Sequence, residues 1–185
     1  MHFRKRMFKS LIHYVCDRCS EEPKKLGAVK INKVAWHSDM LSYVRRGDSI
    51  TGETYIKRQF GPTAKHMLAI VRELETEGAI VVRGVEYYGY EKTEYISLKK
   101  ADVSVFDSEQ VDIINMMIRY VCDENTAASI SAKTHDRVWE LAEIGEQIPY
   151  YAVFAGRAEE ITEDTLRWAR AEAVRLGYLE KLRAS

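Results

Sequence analysis

TAKHMLAIVRELETEGAIVVRGVEYYGYEKTEYISLK, residues 63–99, changes its hydrophobic period halfway along, and that change carries the fold class. Met67, Ile70, Val71 and Leu74 recur at helical spacing, so the stretch predicts a helix that Thr63 caps and Gly78 ends. From Ala79 the period becomes two. Ile80 and Val82, then Val85 and Tyr87, and after a turn near Gly89 the residues Thr93, Tyr95 and Ser97 alternate as strands do. This is a β-hairpin in which Gly84 marks an expected bulge.

Outward from this unit the chain reads as helices. Phe3, Met7, Leu11, Val15 and Cys19 place one apolar stripe on a helix running to about Ser20, and Pro23 follows the stop. A second helix over 29–46 puts Ile31, Val34, Ala35, Ser38 and Leu41 on one face and ends at Gly47. Its wide apolar surface marks it as central. Residues 47–62, GDSITGETYIKRQFGP, read as a loop with one short strand at 54–56. Asp107 with Gln110 forms a capping box for a helix carrying Val111, Ile114, Ile118 and Val121. A shorter helical segment covers about 131–144 before Pro149, and Thr162 starts a last helix over about 162–183 that packs on the core. The fold class is mainly α (α+β), a compact helical domain with one antiparallel β-hairpin. We read residues 1–185 as a single domain with its core at about 25–145.

Composition narrows the functional classes. Hydrophobic residues make up 46% and charged residues 30%, and no apolar run reaches membrane-spanning length. The N-terminus lacks the uninterrupted apolar core of a signal peptide, and three cysteines, Cys16, Cys19 and Cys122, form no disulfide framework, so a cytoplasmic protein with reduced thiols is expected. Zero net charge hides a separation: residues 1–66 carry 14 of the 28 Lys and Arg but 6 of the 28 Asp and Glu. Either a basic face awaits an acidic partner or the two halves complement each other within the fold.

The sequence carries few marks of catalytic chemistry. Cys16-Asp-Arg-Cys19 has no second ligand pair and lies within a helical stripe, which favours core thiols over zinc or redox use. Residues His135 and Asp136 point about 100° apart on a helix and form no dyad through sequence adjacency. No nucleophile elbow, phosphate loop or dinucleotide motif is present. No enzyme, catalytic residue, cofactor or metal is therefore expected. A helix followed by a hairpin, with Arg45, Arg46, Lys57, Arg58 and Lys65 before them, has the element order of a winged-helix DNA binder. Glu73, Glu75 and Glu77 on that helix would repel phosphate, which makes nucleic acid the lesser partner. Tyr88 and Tyr90 in the hairpin, with Lys57 and Arg58 in the basic loop, are the candidate partner-binding residues, since tyrosines are rigid amphipathic anchors at interfaces.

Three motifs in order carry a resemblance. VKINKVAWHSDML, with Lys30 and Lys33, resembles the opening helix of the Panacea domain of SocA-like antitoxins. GETYIKRQFGP is similar to that family's loop, through Tyr55, Gly61 and Pro62. ISAKTHDRVWELA is similar to its Ser-x-x-Thr-His…Trp segment, through Ser131, Thr134, His135 and Trp139. The matching region runs from about residue 30 to 139. It departs from the pattern at Ala35-Trp36-His37 and at Val138, where proline is common. The resemblance implies a mostly helical protein of bacteria or phages that neutralises a cognate toxin by direct binding, without catalysis and away from membranes. A protease or chaperone is implied as a further partner, because some relatives are linked to proteolytic delivery of the toxin. Thr134 as a cap followed by a backbone-bonded His135 would account for the last motif without a ligand.

Overall fold

Phe8, Leu11, Ile12, Val15 and Cys16 have no exposed surface, and together they make the inner stripe of α1 (Lys5–Arg18). Fully burying side chains of this size stabilises the fold by about 1.5–3 kcal/mol each, before the entropy of ordering them is set against it. The computed structural model describes residues 2–87, 89–157 and 167, so the helix expected over 162–183 lies outside the described residues apart from Arg167.

After a 3-10 turn at Pro23–Lys25 comes α2 (Ala28–Arg46), which packs against α1, α4, α5, β2 and β4 and is the axis of the molecule. Its chain direction changes at Gly47, whose φ of 73° lets its N–H bond the Tyr43 carbonyl at 2.9 Å. The helix between β-strands is α3 (Met67–Thr76), which lies along α1. Lys9 bonds Glu73 there at 2.7 Å and also reaches Glu77, while Lys5 meets Glu73. The hairpin β3 (Ile80–Tyr87) and β4 (Tyr90–Ser97) follows. Next is α4 (Ser108–Ile118), started by the expected capping box: Gln110 N donates to Asp107 at 2.8 Å and Asp107 N to Gln110 at 3.1 Å. A π turn at Arg119–Asp123 leads to α5 (Ala127–Ala132) and α6 (Arg137–Leu141), and a 3-10 segment at Tyr150–Arg157 follows the short strand β5 (Gln147–Ile148).

The fold class is α+β, and four local readings change. The loop over 47–62 contains a second hairpin, β1 (Tyr55–Arg58) and β2 (Gly61–Ala64), which β5 extends to a three-stranded antiparallel sheet in the order β2-β1-β5. Pro62 is tolerated because β2 is an edge strand. Thr63 consequently belongs to β2 opposite Ile56, and α3 begins at Met67 without a side-chain cap. Gly84 pairs with Thr93 in an unbroken register, so there is no bulge. The segment at 131–144 is not one helix: it holds the last two residues of α5, a turn and the five-residue α6, because Asp136 accepts a bond from Trp139 N at 2.9 Å and starts a new helix where the first would continue.

Candidate functional site

Lys30, Lys33 and His37 lie on successive turns of α2, on the side that meets α5, β2 and the π turn. Lys30 is buried and donates to the Cys122 carbonyl at 3.1 Å, and burial lowers its pKa. Lys33 is 1% exposed, and its ammonium has no hydrogen-bond partner among the described residues. Burial without a counter-charge brings its pKa down to about 7. His37 is also held neutral, down to about 4, by burial and by the nearby charges of Lys33 and Lys133.

The tip of the β1–β2 hairpin closes over Lys33. Gly61 has φ 99°, and a β-carbon there would lie 2.1 Å from Lys33 Nζ and 2.5 Å from Thr134 Oγ1, so only glycine lets these three groups meet. Ser131 anchors the same tip by donating its hydroxyl to the Phe60 carbonyl at 2.8 Å. Thr134 is buried and bonds back to the Ser131 carbonyl at 2.8 Å rather than capping a helix, a role that Asp136 takes. His135 stacks on Trp139, with centroids 3.7 Å apart and planes 5° apart, and its Nε2 lies 3.5 Å from the Ser131 hydroxyl. The expected backbone bond is replaced by this stack.

Lys57 covers the other face of this cluster. Its Nζ lies 4.1 Å from the Trp139 ring centroid and donates to the carbonyls of Ala142 at 3.0 Å and Glu140 at 3.3 Å, which satisfies the C-terminal end of α6. Lys57 thus works inside the fold, whereas Arg58 next to it is exposed. Three large apolar side chains in the segments joined to β1 stand in solvent: Phe60 in the β1–β2 turn at 56%, Leu141 at 77% and Ile144 at 65% exposure. The backbone of Lys57 bonds Gly145 and Glu146, which places Ile144 beside the strand. Sequence reading missed these three because an apolar residue carries no mark of its exposure. Of the hairpin tyrosines, Tyr88 lies outside the described residues, and Tyr90 begins β4 opposite Tyr87.

Tyr55 belongs to a separate centre. Its hydroxyl donates to Asp39 at 2.8 Å, and Asp39 also accepts from Thr51 N at 2.8 Å, the Thr51 hydroxyl and the Tyr150 hydroxyl at 3.3 Å. Burial raises the Asp39 pKa to about 6 against the pull of these donors. Asp39 is the one carboxylate in α2, and that isolation in an otherwise apolar and basic helix is the signal that could have found it.

The described residues hold no group of three or more His, Cys, Asp or Glu arranged to bind a metal ion, and none of their helices is long and apolar enough to cross a membrane. The family model of antitoxin SocA-like proteins, Panacea domain, matches residues 31–140, more than half of the chain. No curated protein and no solved structure matches. The matched span begins in α2 and ends in α6, taking in both hairpins and every motif residue from Lys33 to Trp139, and the chain therefore belongs to the SocA-like antitoxin family with a Panacea domain.

Proposed function

We propose that this protein neutralises a cognate toxin in the cytoplasm by binding it directly, without catalysis, and that the end of β1 with the segment 140–146 is the binding face. The observation that carries this reading is that Phe60 in the β1–β2 turn, and Leu141 and Ile144 in the segment bonded to Lys57 of β1, are large apolar side chains left exposed, with Arg58 exposed on β1. Anchors of this kind, ringed by polar residues, supply the energy of a protein interface. The rigid support beneath them, Lys57 against Trp139 and Gly61 against Lys33, keeps the face preformed and reduces the ordering cost of association. Tyr90 in β4, with Tyr88 from outside the described residues, is proposed as a second contact, and a protease or chaperone as a further partner of the complex.

Co-expression with the product of the adjacent gene tests the reading. Growth is expected to be restored and the two proteins to co-purify, while Phe60→Asp or Leu141→Asp weakens the complex at least about tenfold. Toxicity unrelieved with no co-purification would overturn it. Full binding after alanine replacement of Tyr88 and Tyr90 removes the hairpin contact alone. The DNA-binding alternative rests on the sequence α3 then β3–β4, but Lys5 and Lys9 already engage the acidic face of α3. Tight, steeply salt-dependent binding to its own promoter fragment would favour that alternative.

A further inference from the structure

Cys16 and Cys19 are near neighbours in sequence, yet the thiol that meets Cys19 is Cys122, 103 positions along the chain, with Sγ atoms 4.0 Å apart. Cys19 is the residue at which α1 ends, and Cys122 sits in the π turn after α4, so each is on an irregular stretch of backbone. Both line an open pocket of about 610 Å³ whose wall carries balanced charge, with cations such as Arg18 and Arg119 and carboxylates such as Glu22 and Asp123. Cys16 faces the core with no exposed surface.

We propose that Cys19 and Cys122 form a peroxide-responsive dithiol that closes to an intramolecular disulfide, tying the end of α1 to the turn after α4. The sulfur atoms need to approach by about 2 Å to reach the bond length of about 2.05 Å, which side-chain rotation with a small backbone adjustment at two helix ends supplies. The pocket admits a small oxidant to both sulfurs. Cys122 is the first nucleophile: the Cys19 S–H directed at it and the nearby Lys30 ammonium favour its thiolate against burial, whereas burial pushes Cys16 up to about 12 and leaves it inert.

The Cys122 thiolate attacks one oxygen of hydrogen peroxide, the O–O bond breaks, and the departing hydroxide takes a proton as water, leaving a sulfenic acid. The Cys19 sulfur then attacks the Cys122 sulfur, the S–O bond breaks, and hydroxide leaves with the Cys19 proton as a second water. Two thiols lose two electrons and the peroxide gains them. Thiol-disulfide exchange with a cellular dithiol reverses the step.

The test uses the full chain, reduced and then exposed to stoichiometric hydrogen peroxide, with alkylation in denaturant and peptide mapping. Trypsin cuts after Arg18 and so separates Cys16 from Cys19, which makes the link assignable. The expected result is a fall from three alkylated cysteines to one, with the Cys19 and Cys122 peptides joined and Cys16 alone modified. The linked protein is expected to melt at least about 5 °C higher, because the bond closes a long loop, and dithiothreitol restores the original midpoint. Cys16→Ser keeps the link. Cys19→Ser and Cys122→Ser each abolish it while near-UV circular dichroism shows them folded. Three alkylatable thiols after peroxide, a Cys16–Cys19 link in the folded protein, or links only between chains would overturn the proposal.

Discussion

Asp39 and Lys33 are buried charges on one helix, six residues apart, and their surroundings are opposite in kind. Asp39 receives a backbone N–H and three hydroxyls from Thr51, Tyr55 and Tyr150, and so ties α2 to β1 and to the 3-10 segment near the end of the described chain. Lys33 has no such partner among the described residues and is enclosed by Gly61 and Thr134. A buried charge with donors around it holds elements together; one without them costs stability wherever it is ionised. The first is a structural knot, and the second carries a cost at the point where α2, the β1–β2 tip and Thr134 meet.

Four outcomes break or sharpen this contrast. Asp39→Ala leaves three hydroxyls and one N–H without their acceptor, and is expected to destabilise the fold by about 3–5 kcal/mol in denaturant titration. A loss below about 1 kcal/mol would show that the knot contributes little. Gly61→Ala forces a β-carbon onto Lys33 and Thr134 at a positive φ, with an expected loss of about 2–4 kcal/mol. Lys33→Met removes an unpaired charge and keeps most of the side-chain volume, so it is expected to stabilise the protein at pH 7 by on the order of 1–3 kcal/mol. Destabilisation by Lys33→Met would mean that the ammonium has a partner in solution.

The last outcome is a pH slope. Lys33 titrates near 7 in the fold against its ordinary 10.5, so between these values the unfolded chain binds a proton that the native one lacks, and stability rises with pH across that window. Asp39, raised from 3.8 to about 6, makes stability fall as pH rises through its own window. His37, lowered from 6.5 to about 4, makes it rise through nearly the same one, so the two oppose each other at acid pH. Midpoints measured from pH 7 to about 8.5 are expected to climb in the natural protein and to climb less steeply in Lys33→Met, because from about pH 9 the buried Cys16 thiol, pushed up to about 12, acts in the opposite sense. Equal slopes in the two proteins would remove Lys33 as the source.

The candidate site was legible in the sequence as residue names but not as an assembly. Lys33, Gly61, Thr134, His135 and Trp139 were picked out by a motif resemblance, and the structure brings Lys33, Gly61 and Thr134 to one point while stacking His135 on Trp139. Lys57, a partner-binding candidate by its position in a basic loop, is engaged with Trp139 and the end of α6, while nothing in the sequence marks Phe60, Leu141 and Ile144 as exposed. Periodicity reports which face of an element is apolar, but not whether another element covers it.

Local backbone chemistry is written along the chain, and from it follow the helix at α1, the period change between α3 and β3, the end of α2 at Gly47 and the capping box at Asp107. Each depends on residues a few positions apart. The pairing of β1 with β5, the closure of Gly61 on Lys33 and the meeting of Cys19 with Cys122 join residues from 28 to 103 positions apart, and these were decided only when α2 gathered the other elements around itself. Such contacts are properties of packing, in which every neighbour's volume and orientation has a say, and no short stretch of sequence contains them.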